Sequence, residues 1–422
     1  MKNSGIEWIG EIPDHWNVER LQWYLDEIKE SNNPIQTDQV LSLTNKRGVI
    51  PYEEKGAQGN NAKENHADYK LAYPHTLVLN SMNVLIGSVG ICDYFGCVSP
   101  VYYVFKPKIN ANLEFLNYIF QTEQFQKELR RYANGIMEIR LRLSSADILK
   151  RLVGFPSIEM QARIVNHLNK KCAQIDALIL NQERQIEKLK QYKQALITEV
   201  VTKGLDPTVP MKDSGVEWIG EIPQGWKVAQ TKSLFYIIAG ATPDSGVKDF
   251  WDGEITWITP ADYKTEDIFV NSGRRNISVL GLNSCSTVII PKDNIIFSKR
   301  APIGLVAINT TDLCTNQGCL SCVSKANLSI KYFYYQMSVK TEYYELFGSG
   351  TTFKEISAQK FGAFKLAIPS ISEQGRIADY LDKKCADIDR LIEIKNNKIE
   401  KLNEYKKSLI YEYVTGKKKV PV

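Results

Sequence analysis

The chain has 422 residues, 43% hydrophobic and 24% charged, with eight cysteines and a net charge of +5. That leaves room for two or more domains with proper cores, and the composition is that of an ordinary folded protein. No apolar run reaches the roughly 18–20 residues that cross a bilayer, and the polar N-terminus is unlike a secretory leader. A cytoplasmic chain with no membrane partner is expected, its cysteines free thiols rather than a disulfide framework; the charge permits a nucleic-acid partner without requiring one.

Residues 1–16, MKNSGIEWIGEIPDHW, return at 211–226 as MKDSGVEWIGEIPQGW, with 12 of 16 positions identical at an offset of 210. A second block opens with Pro-Ser-Ile at 156 and again at 369, an offset of 213. Within it Gln161, Arg163, Leu168, Cys172, Ile175 and Asp176 match Gln374, Arg376, Leu381, Cys385, Ile388 and Asp389. The segments between, 17–155 and 227–368, are unlike each other yet differ in length by only three residues. A duplicated frame therefore carries two diverged inserts. The expected domains are 1–156, a spacer helix over 157–204, 205–369, a second spacer helix over 370–416, and a basic tail over 417–422.

In the first insert, β-rich runs at 76–79, 83–86 and 100–105 predict strands, and 113–131 predicts a helix. Residues 127–151 are its most basic stretch, with Lys127, Arg130, Arg131, Arg140, Arg142, Lys150 and Arg151 against three acids. Arg140 and Arg142 alternate with apolar residues, which would place both on one strand face. The candidate DNA contacts here are Lys46, Arg47, Asn80, Asn83, Arg130, Arg131, Arg140 and Arg142. Any one of these cations alone also reads as a solvated surface charge.

From 158 to 203 there is neither Pro nor Gly, and Lys, Arg, Glu, Gln, Leu and Ile dominate, which predicts one long helix. Its apolar positions form two seams, Leu168, Ile175, Gln182, Leu189, Leu196 and Cys172, Ile179, Ile186, Lys193, Val200. The second helix repeats them as Leu381, Ile388, Lys395, Leu402, Leu409 and Cys385, Ile392, Ile399, Lys406, Tyr413. These are coiled-coil seams. Polar residues at matching points (Gln182 with Lys395, Lys193 with Lys406) fix register and partner choice; the plainer alternative is a frayed, solvated seam. A helix of this length spans roughly 66 Å, about 19 base-pair steps of 3.4 Å. Two of them paired antiparallel would make a rigid spacer. Ser370 and Glu373 form a capping box for the second helix, whereas the first has Ser157 with Met160.

In the second insert, 255–259, 287–290, 294–298 and 305–308 predict strands and 329–346 a helix. The candidate contacts are Lys264, Lys299 and Arg300 in the run SKRAPIG at 298–304, Asn316 and Gln317 in TNQG at 315–318, and Thr351, Thr352 and Lys354 in a hydroxyl-rich loop at 348–354. Arg or Lys can bond guanine edges and Asn or Gln adenine edges, while hydroxyls suit phosphates. Cys319 and Cys322 have zinc-ligand spacing with Cys314 nearby, but a second ligand pair is missing, so buried thiols are expected and no metal. There is no Walker loop and no Asn/Asp-Pro-Pro-aromatic tetrad. One loose nuclease-like pattern, Asp244 followed by Asp262 and Lys264, could in principle hold Mg²⁺.

Taken together, the twin Trp-Ile-Gly-Glu-Ile-Pro-x-x-Trp motifs, the twin Pro-Ser-Ile…Gln-x-Arg-Ile helix entries and the Val-Thr-Lys-Gly and Val-Thr-Gly-Lys exits resemble, over essentially the whole chain, the specificity subunits of type I restriction–modification systems. The resemblance implies an α/β (α+β) fold: two mixed α/β target-recognition domains joined by two long antiparallel helices. It implies a non-catalytic subunit reading both halves of an interrupted double-stranded DNA site. It implies docking of two methylation subunits that use S-adenosylmethionine on adenine N6 after flipping the base, and of restriction subunits supplying ATP-driven translocation and cleavage. This chain would itself hold no cofactor, with ATP and Mg²⁺ on the partners. In the family, SKRAPIG-like and TNQG-like runs recur as framework, which gives Arg300 and Asn316 a structural or phosphate-binding alternative. Two other classes stay open at this point: a coiled-coil scaffold whose inserts bind proteins, and a stand-alone nuclease.

Overall fold

The computed structural model describes residues 1–44, 47–56, 63, 65–133, 141–264, 267–339, 343–344 and 354–421. The chain divides into two compact units, Met1–Glu183 with Asn396–Val422, and Arg184–Lys395. Each unit thus holds one copy of the Trp-Ile-Gly motif, one insert and a part of each long helix.

Both inserts are tied off in the same way. In the first unit Asn17–Arg20 pairs antiparallel with Leu152–Phe155, joining the insert's first residues to its last. In the second, Lys227–Gln230 pairs with Lys365–Ile368. A closed insert can diverge without disturbing the frame, because its entry and exit are hydrogen-bonded to each other.

The first insert is built on a four-stranded antiparallel sheet in the order Leu25–Ile28, Tyr102–Pro107, Thr76–Asn80, Val89–Cys92. Strand alternation splits its side chains between two cores. Leu77, Leu79 and Phe105 face helices α1 (Leu113–Gln121) and α2 (Glu123–Arg130), whereas Val78 and Val104 face Leu41, Leu43 and Val49 of a hairpin. The expected single helix over 113–131 is broken at Thr122, whose ψ of 134° is extended and whose hydroxyl caps Ile119 O. The run at 83–86 is not a strand. Val84–Ile86 is a 3-10 turn closed by Gly87 at φ +79°, so turn chemistry overrides β propensity.

The second insert carries a five-stranded sheet in the order Phe235–Ala239, Cys319–Ser324, Ile295–Ser298, Val306–Asn309, Phe269–Val270, and a three-stranded one centred on Trp251–Ile258. The run at 287–290 makes only an isolated bridge, Ile290 with Leu313, leaving Val288 and Ile289 exposed. Cys319 and Cys322 lie on one strand three residues apart, so they point to opposite faces, into two different cores. Their spacing therefore does not bring the two thiols together.

The long helices are α3 (Ile158–Lys203) and, after the short α4 (Ile330–Ser338), α5 (Ile371–Val414). α3 stops at Gly204, whose φ of +78° supplies the left-handed C-cap and whose N–H bonds Val200 O at 3.0 Å. All twenty seam positions are buried or half-buried. Within the first unit the helix segments run antiparallel: the His167 ring packs on Tyr413, and Asp176 meets Lys406. The same holds in the second unit, where Lys193 meets Asp389 and Lys395 donates to Gln185.

Candidate nucleic-acid interface

In the second unit, loops from four parts of the insert converge. The Lys299 N–H bonds Gly318 O at 2.9 Å, the Asn316 N–H bonds Ile258 O at 2.9 Å, and the Ala241 N–H bonds Thr315 O at 3.0 Å. Gly240 permits this approach, since a Cβ there would lie 2.2 Å from Thr315 O. The cluster brings together Lys299, Arg300, Asn316 and Gln317, which the sequence suggested separately.

The cluster sorts these candidates into framework and surface. Asn316 is half-buried, and its side-chain oxygen accepts from the Gly318 N–H at 2.9 Å, so it shapes the loop. Gln317 is exposed, and its carbonyl oxygen accepts from the Thr242 hydroxyl. Lys299 is largely buried, with 14% of its side chain exposed, and its ammonium lies 2.7 Å from Glu355 Oε1. Arg300, 44% exposed, donates from Nε to Glu355 Oε2, also at 2.7 Å. Burial raises the Glu355 carboxyl pKa, but the hydrogen bonds and charges of Lys299 and Arg300 outweigh it and hold the pKa below the usual carboxylate range. Lys264 and Lys354 are exposed. Thr351 and Thr352 lie outside the described residues.

Asp262, from the nuclease-like pattern, has a side chain 2% exposed and is engaged by its own turn and by Arg274. It accepts from Thr259 N–H and Oγ1, each at 2.7 Å, and from Arg274 N–H at 3.1 Å. Asp244 caps Gly246 N–H at 2.8 Å. Among the described residues no group of three or more His, Cys, Asp and Glu side chains could hold a metal ion.

The first unit gathers fewer of its candidates. The Leu143 N–H bonds Ser81 O at 3.2 Å, which sets exposed Arg142 beside the turn that holds Asn80 and Asn83. The Asn80 side chain accepts from Met82 N–H at 3.0 Å and so serves that turn, whereas Asn83 is exposed. Arg130 is exposed at the end of α2, while Arg131 pairs with Glu7 at 2.6 Å and Glu128 at 3.3 Å. Arg47 sits on a hairpin apart from these and pairs with Glu54. Lys46 and Arg140 fall outside the described residues.

Three participants were not legible beforehand: Glu355, Thr242 and Arg274. Each is an ordinary polar residue in sequence, given its place only by what folds against it.

The frame around both inserts is duplicated atom for atom in places. Gln161 Oε1 accepts from Asn112 N–H, the residue before α1, at 3.0 Å, and its Nε2 donates to Pro156 O at 3.1 Å. Gln374 Oε1 accepts from Ser329 N–H, before α4, at 3.0 Å, and its Nε2 donates to Pro369 O at 3.1 Å. The same buried amide thus locks each long helix to its insert. A type I restriction modification DNA specificity domain matches residues 223–404. That match takes in the second insert and most of the second long helix. The chain is 37% identical to the type I restriction enzyme MjaIX specificity subunit of Methanocaldococcus jannaschii, over 44% of this chain and 43% of that one. Measured by that match, the chain spans less than half of its relative. With the sequence designated MjaX specificity subunit in the same organism it shares 27% identity over 98% of this chain and 96% of the other.

The same fold occurs in solved structures. A chain from a study of type I R-M complex assembly and conformational transition superposes with a TM-score of 0.74 at 14% identity, covering 96% of this chain and 98% of that one. The HsdS subunit from Thermoanaerobacter tengcongensis gives 0.54 with the same identity and coverage. No helix among the described residues is long and apolar enough to cross a membrane.

Proposed function

We propose that this chain is a type I restriction–modification specificity subunit that reads an interrupted, two-part DNA site, one half through each insert, and directs partner subunits that methylate adenine N6 and restrict unmodified DNA. The observation that carries this reading is the repeated frame around unlike inserts. Gln161 and Gln374 make two matching bonds, while the surfaces they support share no motif. A protein that recognises two different half-sites needs a constant mount and two variable readers. Basic loops would hold phosphates, and exposed groups such as Arg300, Gln317, Arg142 and Asn83 would face base edges. The number of unread base pairs between the halves would follow from the length of the helices.

Two equivalent docking surfaces for a methylation partner follow from the same duplication. Leu178 and Leu391 are each 47% exposed, and Tyr192 and Tyr405 are 58% and 52% exposed, at matching positions beside the seams. Asp176 meets Lys406, which sets Leu178 and Tyr405 on neighbouring turns of the first unit, and Lys193 with Asp389 does the same for Tyr192 and Leu391 in the second. Isolated apolar side chains on a helix are common, but the same Leu–Tyr pair exposed twice supports a partner that binds twice. S-adenosylmethionine, ATP and Mg²⁺ would be held by the partners, and this chain would do no chemistry.

A base-resolution adenine-methylation map of the host genome, with and without the gene, tests the proposal. Loss of methylation at one two-part motif is expected. A map unchanged in a host whose methylation partner is expressed would overturn it in favour of a protein-binding scaffold.

A further inference from the structure

Lys299 and Arg300 are consecutive cations on a loop that the proposed function turns toward DNA, yet both are bound to a single acid. Glu355 offers one oxygen to each at 2.7 Å. It arrives from a distant part of the insert, held by a β-bridge between Arg300 and Glu355 and by the Ile356 N–H on Lys299 O at 3.0 Å. The loop is fixed from the other side as well, through the Ser298 hydroxyl on Arg300 O at 2.8 Å and Gly304 N–H on Ser298 O at 2.9 Å. The carboxylate therefore does two things. It sets the direction of the two cations, and it offsets half of their charge where a phosphate would approach.

We propose that Glu355 is a specificity-determining residue: it restrains Lys299 and Arg300 so that this loop engages DNA firmly only where a matching site offers contacts that replace the carboxylate. The inference rests on the DNA-reading function proposed above. Indiscriminate binding comes almost wholly from phosphate neutralisation and so depends on how many cations are free. A cation already paired within the protein releases no DNA counterion until its pairing is given up. Glu355 thereby weakens binding to random duplex, and specific binding loses less because base contacts compensate.

The test is fluorescence anisotropy of the full chain with a labelled 30-base-pair duplex of random sequence, titrated from about 0.05 to 0.3 M salt. Glu355→Gln is expected to bind about tenfold more tightly at 0.1 M salt, with the slope of log affinity against log salt steeper by about one, the value for one additional phosphate contact. Adding Arg300→Gln should remove most of that gain. Glu254→Gln, which removes an exposed acid elsewhere in the insert, should produce little of it. If Glu355→Gln does not fold, Glu355→Asp carries the test. It keeps the charge but is one methylene too short to reach both cations, and a smaller gain is expected. Wild-type binding that is salt-dependent but unchanged in slope and affinity by these substitutions would overturn the role of Glu355 and leave DNA reading intact. Absence of any salt-sensitive duplex binding by the wild type would instead overturn the DNA-reading proposal, and this inference with it.

Discussion

The ammonium of Lys193 lies 2.8 and 2.7 Å from the two carboxylate oxygens of Asp389. The counterpart pair 213 residues away in sequence, Lys406 with Asp176, has 2.7 Å to both oxygens. In each pair the Lys side chain is 28% exposed and the Asp 56%. The seam lysines Lys193 and Lys406 are thus bonded across the helix pair rather than merely solvated, and each antiparallel helix pair has one register in which Lys and Asp meet. Exposed pairs of this kind contribute only about 0.2–1 kcal/mol. Lys193→Glu should cost more, about 1–2 kcal/mol, because it sets like charges together, and adding Asp389→Lys should restore most of the loss. Calorimetric melting of the two single variants and the double variant measures this coupling; losses that simply add would show that the pair sets nothing.

Gln374 is 2% exposed, and its amide is used from both ends. Gln374→Ala leaves Ser329 N–H and Pro369 O without it, and a loss of about 1–3 kcal/mol is expected. Gln161→Ala should cost about the same in the first unit. Urea unfolding of each variant checks the pair, and a large difference between them would mean that the two mounts are not equivalent in energy.

Glu373 departs from the reciprocal capping expected of it. Its backbone N–H bonds Ser370 Oγ at 3.3 Å, but its carboxylate accepts from Trp226 Nε1 at 3.0 Å. Glu373→Met, which installs the residue of the first copy, should cost about 1–2 kcal/mol through an unpaired indole N–H. A thermal melt of the variant against wild type reads it.

His167 packs its ring 4.7 Å from Tyr413, and its pKa is lowered by burial and then by Lys171, Lys170 and Lys418. A histidine whose folded pKa lies below its unfolded value of about 6.5 contributes stability that is complete above the unfolded value and is lost as pH falls toward the folded one. The first unit should therefore weaken between pH 7.5 and 5.5. His167→Tyr, which installs the second copy's Tyr380, should flatten that dependence; urea midpoints at the two pH values decide it.

Lengthening both long helices by one turn should change the spacer of the recognised site and leave its two half-sequences alone. A methylation map of a strain carrying the lengthened gene is the measurement. An altered half-sequence with an unchanged spacer would sink the idea.

What the sequence alone determined was the part governed by periodicity and repetition. The helices over 158–203 and 370–416 are specified by a 3.5-residue seam and stopped by Gly204 and Gly416, signals that need no tertiary partner. The duplicated motifs gave the frame, and Gln161 and Gln374 were visible as a matched pair before their bonds were known. What only the tertiary structure decided lies in the inserts. Whether 83–86 is a strand or a turn depends on Gly87 and its neighbours, and whether 113–131 is one helix or two depends on Thr122. The candidate readers depend even more on distant residues. Arg300 and Asn316 are equally polar in sequence, yet one faces solvent against Glu355 and the other is spent on the Gly318 N–H. A side chain's availability to DNA is set by which other groups claim its hydrogen bonds, and those groups arrive from elsewhere in the chain.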